Sequence, residues 1–235
     1  MVRKFISFLF FLAIIGAGGY LWVDRGRTPD IAGLQGLTAI QDAQASDTSG
    51  ATGTKTPKKE ITIKDMAMGN ADAPITMIEY ASFTCPHCAR FHEEVFPKIK
   101  ARYIDTGKLR FIVRDVYFDR YGLWAAMLAR CGDGSRFFGL SDLIYSRQRE
   151  WTRADSEAGI VENLRKLGRV AGMTDDQMNS CLQDAGKARA LVEAYQQNAE
   201  RDQIDATPTF IINGKKYPNM SWADFQTTLD GLLAQ

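Results

Sequence analysis

Residues 75–91 constrain the fold of this chain more than any other stretch. Ile75-Thr76-Met77-Ile78-Glu79-Tyr80-Ala81 reads as a β-strand, and a Cys-Pro-His-Cys segment, Cys85-Pro86-His87-Cys88, follows at once. A helical pattern then runs over residues 86–105, with Cys88, Phe91, Val95 and Ile99 on one apolar stripe. Proline suits the first helical position, where its missing N–H has no intrahelical duty. Two cysteines at a strand-to-helix junction form a redox-dithiol arrangement. Cys85 sits at the positive end of the helix dipole, where a thiolate is stabilised. His87 adds donors and, when protonated, positive charge, so His87→Ser is expected to raise the Cys85 pKa. Cys88 faces the core and is expected to be shielded, resolving a mixed disulfide rather than meeting outside reactants. A zinc site would need four ligands, and no second Cys-x-x-Cys exists to complete one even with His92 as a third. A purely structural Cys85–Cys88 disulfide would close too short a loop to restrain the unfolded chain much. His92, among Glu93, Glu94 and Lys98, reads as a solvated residue.

The rest of the chain arranges itself around this junction. Ile61-Thr62-Ile63 opens the domain as a short alternation, and Leu109 to Tyr117 reads as a further strand. From Tyr121 to about Arg201 the pattern is helical, punctuated by Gly132/Gly134, Trp151-Thr152, Gly172 and Gly186. Asp205 to Pro208 breaks it. Thr209–Ile212, Asn213-Gly214 and Lys215–Tyr217 predict a hairpin, and Ser221 predicts the N-cap of a last helix through Leu233. The order is β, β-α-β, a block of helices, then β-β-α: an α/β fold with a helical insertion over about 121–201 inside a domain spanning 61–235.

Ahead of that domain, Arg3 and Lys4 precede an uncharged apolar run from Phe5 to Val23. As a helix the run would be roughly 28 Å long, close to the hydrocarbon thickness of a bilayer. Its end lacks a small-x-small cleavage site, and Tyr20 and Trp22 suit a membrane interface. Residues 1–23 therefore read as a signal anchor or transmembrane helix, with a cleaved signal as the alternative. Residues 24–60 hold no aromatic and no cysteine, and read as a flexible linker.

Composition narrows the function. With 29 Lys+Arg against 28 Asp+Glu, the net charge of +1 disfavours a dedicated nucleic-acid binder. Only two histidines are present, which leaves little room for a histidine-rich metal centre, and no metal or other cofactor is expected. Of four cysteines, Cys131 and Cys181 stand alone in the helical insertion. An even count in an exported chain favours a Cys131–Cys181 disulfide; two buried free thiols are the alternative.

Ser82-Phe83-Thr84-Cys85-Pro86-His87-Cys88-Ala89-Arg90-Phe91 resembles the active-site segment of the DsbA family of thioredoxin-fold thiol:disulfide oxidoreductases. Ala206-Thr207-Pro208-Thr209-Phe210 resembles that family's cis-proline loop, and the helical insertion matches its architecture. The resemblance covers roughly residues 65–235. It implies that Cys85 is the nucleophile, Cys88 the resolving thiol and Pro208 a cis-proline beside them. It also implies that Thr207 offers backbone groups to an extended substrate, and that Glu79 is the buried acid relaying a proton for the resolving thiol. The residues alone leave Glu79 either outward-facing or buried. The implied function is donation of a disulfide to unfolded exported proteins in the periplasm or its equivalent, with a DsbB-like, quinone-linked membrane partner as reoxidant. Threonine rather than valine at 207 departs from the strongly oxidising members, so a reductase or isomerase of the same fold is the alternative. A tethered holdase or copper-handling module is another.

Overall fold

The computed structural model describes residues 61–235. The expected anchor at 1–23 and linker at 24–60 lie outside the described residues. Among the described residues, no helix is long and apolar enough to cross a membrane.

Five strands form one mixed sheet: β1 Met66–Met68, β2 Ile75–Ala81, β3 Leu109–Asp115, β4 Thr209–Ile212 and β5 Lys215–Tyr217, in the order β1-β3-β2-β4-β5. β2 and β3 are parallel, with Glu79 opposite Val113; every other pairing is antiparallel. The parallel pair needs a crossover. It is supplied by α1 Pro86–Glu94, α2 Phe96–Ile99 and a π-helical turn Lys100–Ile104. The expected helix over 86–105 is thus broken in the middle. Pro97, in the second helical position of α2, has no N–H to give the preceding turn, so the chain re-initiates after Val95.

Two further boundaries differ from the sequence reading. The first strand is Met66–Met68, paired with β3 from Met66 opposite Val113, and not Ile61–Ile63. Ile61 is left exposed, whereas Asp65, just before the strand, is pinned by Arg114 at 2.9 Å. Gly186 does not interrupt a helix; it lies in the first turn of α8 Ala185–Arg201, whose cap is Asp184.

The insertion comprises α3 Arg120–Ala129, α4 Phe137–Ser146, α5 Gln148–Trp151, α6 Glu157–Val170, α7 Asp175–Leu182 and α8. Three of its helices start at these side-chain caps: Asp119 for α3, Ser156 for α6 and Thr174 with Gln177 as a capping box for α7. The chain then returns to the sheet through β4 and β5. Asn213 and Gly214 both have positive φ, 46° and 82°, as a two-residue hairpin of this hand requires. α9 Trp222–Leu233, capped by Ser221, closes the fold.

Alternation along β2 puts Ile75, Met77, Glu79 and Ala81 on one face. Ile75, Met77, Glu79 and Ala81 are all almost fully buried. The core contains Phe91 of α1, whose ring lies 4.8 Å from Phe210 and 5.7 Å from Phe225. One carboxylate therefore sits in an otherwise apolar core face, on the central strand that leads into Cys85.

Candidate active site

Cys85 is the N-cap of α1, with extended backbone at φ −81° and ψ 119°, and Pro86 opens the helix. The main-chain N–H groups of His87 and Cys88, in the first turn of the helix, act on the Cys85 sulfur. Cys85 is 8% exposed and Cys88 is fully buried at 0%. Outside reactants can therefore reach only Cys85, and only through a narrow opening.

The two thiols are driven in opposite directions. Cys85 is brought down to about 5, chiefly by the Cys88 thiol donating to it, with help from the Thr207 side chain and the main-chain N–H groups of Cys88 and His87; burial opposes this. Cys88 is pushed far up, first by burial, then by its bond to Cys85 and by the nearby Glu79 carboxylate. This is how one dithiol comes to hold a thiolate and a thiol together.

The His87 contribution differs in kind from the sequence expectation. Its main-chain N–H supports the Cys85 thiolate, while its side chain is exposed. The imidazole lines a groove of about 420 Å³ with Thr207, Pro208, Lys216, Tyr217 and Asn219. The Thr207–Pro208 bond is cis, and the Cys85 thiol lies 3.5 Å from the Thr207 carbonyl oxygen. The segments at 85–88 and 206–209 thus meet at one point, with a groove running from it. The Thr207 hydroxyl is buried, has no oxygen or nitrogen partner, and lies close enough to the Cys85 sulfur to favour its thiolate.

Two supports of the loop were not legible in the sequence. Gln148 of α5 is buried, and its side-chain amide donates to the Phe83 carbonyl at 2.8 Å and the Cys85 carbonyl at 3.0 Å. Thr84 donates to Asp119 at 2.8 Å, tying the loop to the cap of α3. Nothing in the local pattern around Gln148 marks it, since its partners are over sixty residues away in the chain.

Glu79 is fully buried, and His92 is its partner, with Nε2 2.9 Å from Oε2. This overturns the reading of His92 as a solvated residue. Its ring is buried, stacked on Tyr145 at 4.2 Å and 12°, and flanked by Phe91 and Phe96. The signal was its position one helical turn beyond Cys88, which places both on one face. The charged neighbours Glu93, Glu94 and Lys98 obscured it.

Cys131, just beyond α3, and Cys181 of α7 are joined, with sulfurs 1.97 Å apart and Cα atoms 5.6 Å apart. Among the described residues, no group of three or more His, Cys, Asp or Glu side chains is arranged to hold a metal ion.

Comparison with known proteins agrees with this geometry. The Thioredoxin_4 family model, described as thioredoxin, matches residues 61–231. A candidate protein-disulfide oxidoreductase of Rickettsia bellii is 33% identical over 167 residues, covering 71% of this chain and 63% of that protein. The match thus spans slightly less than two thirds of that curated relative. The crystal structure of Wolbachia pipientis alpha-DsbA1 superimposes with a TM-score of 0.67 at 31% identity, covering 72% of this chain and 91% of that one. Oxidised BdbD from Bacillus subtilis shares the fold, with a TM-score of 0.60 at 22% identity, over 72% of this chain and 92% of its own. The chain belongs to the DsbA family of thioredoxin-fold thiol:disulfide oxidoreductases.

Proposed function

We propose that this chain donates the Cys85–Cys88 disulfide to exported proteins as they fold. The observation that carries the reading is the opposed pair of thiols, with Cys85 reachable and held down to about 5 and Cys88 buried and held protonated. A substrate thiolate attacks Cys85 Sγ, the Cys85–Cys88 bond breaks, and Cys88 leaves and takes up a proton. A second substrate thiolate then attacks the substrate sulfur of the mixed disulfide and expels Cys85 as a thiolate. Two substrate thiols lose two electrons, and the dithiol gains them. A low-pKa thiol leaves readily, and a stabilised reduced form makes the disulfide a stronger oxidant. The groove at Thr207 and Pro208 accommodates an extended segment, whose backbone pairs with Thr207 in strand-addition fashion. In this reading residues 5–23 tether the domain at the extracytoplasmic face of the inner membrane, and a DsbB-like, quinone-linked protein restores the disulfide.

A second reading, a reductase or isomerase, draws support from threonine standing at 207 where the resemblance leads one to expect valine in strongly oxidising members. The redox equilibrium of the protein against glutathione buffers separates the two. A strongly oxidising couple, with loss of peptide oxidation in Cys85→Ser, is the expected result. A thioredoxin-like reducing couple would reject the oxidase in favour of the reductase or isomerase. Retention of a protective, holdase-like effect without turnover in Cys85→Ser would instead point to a binding module.

A further inference from the structure

The proton that Cys88 needs has no direct route from water. Cys88 and Glu79 are both 0% exposed, and Glu79 acts on Cys88 from the strand beneath. Glu79 uses Oε2 to bind His92 Nε2, while its Oε1 has no hydrogen-bond partner. His92 repeats this arrangement one step further out: Nε2 is engaged and Nδ1 is buried without a partner. The His92 ring also borders a second groove, of about 380 Å³, on the side of α1 and α4 where Glu93, Lys100, Asp142 and Tyr145 lie. This groove shares no lining residue with the one at Thr207 and Pro208.

We propose that His92 is the outer member of a proton relay, Cys88–Glu79–His92, that exchanges protons with water in the groove between α1 and α4. The proposal rests on the exchange chemistry set out above and adds the residue that connects it to solvent. One proton occupies the Nε2–Oε2 bond, whichever atom carries it. When the Cys85–Cys88 bond breaks, the shared proton passes from Nε2 to the Glu79 carboxylate, which gives it on to the Cys88 thiolate. Nδ1 then takes one proton from groove water, so the net transfer is one proton from water to sulfur. In reoxidation each transfer runs backwards and Cys88 is deprotonated. An imidazole suits the task because it accepts at one nitrogen and releases at the other.

The groups facing the ring are few. From β2 there is Glu79; from α1, Cys88 and Glu93; from the π-helical turn, Lys100; and from α4, Asp142 and Tyr145. The Tyr145 hydroxyl is held well above its ordinary value by burial, so it stays neutral beside the ring. Asp142 is raised by burial, and His92 and Lys100 pull it back down. The relay therefore opens toward two acids, Glu93 and Asp142, and one base, Lys100, at the groove.

Reduction of the oxidised full-length protein by glutathione tests this. Glutathione has one thiol and needs two encounters, so Cys88 must stay protonated between them. In His92→Gln, which keeps an amide donor toward Glu79 but cannot pass a proton, net reduction should slow about 10–100-fold, with an altered profile between pH 5 and 9. Adding His92→Gln to Glu79→Gln should slow it no further, because both act on one path. Free imidazole should restore part of the rate in His92→Ala. A His92→Gln rate that tracks the wild type at every pH would overturn the relay, as would additive losses in the double variant or no rescue. Should His92→Gln fail to fold, the unmodified protein decides it. Net reduction in mixtures of light and heavy water should depend on deuterium content along a curve, because more than one proton is in transit, and a straight-line dependence rejects the relay. If glutathione reduces the protein normally but no dithiol peptide is oxidised, the oxidase reading fails and the relay stands.

Discussion

The two cysteine pairs of this molecule show how environment divides one chemistry into two. Cys131 and Cys181 are separated by 50 residues and join the segment just beyond α3 to α7 of the insertion. Cys85 and Cys88 are one helical turn apart, and both are free thiols in this structure. The first pair cross-links a long loop, so its effect falls mainly on the unfolded chain. The second closes almost no loop and can contribute little in that way. What distinguishes it is the bond between its own two thiols, the burial of Cys88, the Thr207 side chain and main-chain N–H groups at Cys85, and the Glu79 carboxylate near Cys88, which move the two thiols apart. Spacing decides which pair can staple the fold, and surroundings decide which pair can exchange.

The most direct test of that division is pH. The Cys85 thiol falls from an ordinary 9.0 to about 5 in the folded, reduced protein. Between those values the unfolded chain binds the proton and the folded chain does not. The contribution is therefore fully present above about 9 and lost as pH falls through about 5. Under reducing conditions, the stability of wild type minus that of Cys85→Ser should rise across this window by about 2–3 kcal/mol, solvent screening at the half-buried sulfur removing the rest of the full shift. Urea unfolding at a series of pH values reads it, and a flat difference would show that the two thiols are not driven apart.

Removing the other pair should act on stability alone. Cys131→Ala with Cys181→Ala is expected to lose about 4 kcal/mol from loop entropy. The Cys85 thiolate absorbance should still titrate near 5. A displaced titration would mean that the insertion tunes the active pair, and the two regions could no longer be treated apart.

Gln148 is where the regions meet. Gln148→Leu strands the Phe83 and Cys85 carbonyls, both bound by one buried amide. Losing those partners should lower stability by about 2–3 kcal/mol in thermal unfolding. Exchange through Cys85 should slow as well, since the loop carrying its sulfur is loosened. Full activity at reduced stability would make Gln148 a brace of the fold only.

The smallest effects should come from the edges of the site. Thr207→Val removes a hydroxyl that supports the thiolate, so the Cys85 midpoint should rise by about a unit or less. His87→Ser should move it less still, because the main-chain N–H that acts on Cys85 survives the substitution. Titration of thiolate absorbance in both variants orders the two. A larger shift for His87→Ser would show that the exposed imidazole acts on the sulfur after all.

Much of the fold was legible because its determinants are local. The β2 alternation, the Asn213-Gly214 turn and the Ser221 cap each depend on residues within a few positions of one another. The break after Val95 was missed although Pro97 was in plain view, because the apolar stripe continues across it. The first strand was misplaced because Ile61–Ile63 has the better alternation, while Met66–Met68 has β3 to pair with. Strand pairing is a tertiary choice that pattern alone does not make.

The site divides along the same line. By itself the sequence determined the Cys85-Pro86-His87-Cys88 helix start, the hairpin, the capped last helix and the apolar face that buries Cys88. These follow from dihedral preference, caps and period, which act over one or two turns of chain. Only the tertiary structure decided that Glu79 meets His92, that Thr207 reaches Cys85, and that Gln148 holds the loop. Those contacts join residues 13, 122 and 63 positions apart. A polar side chain in the core takes whichever partner packing brings within bonding distance, because burial without one is unfavourable.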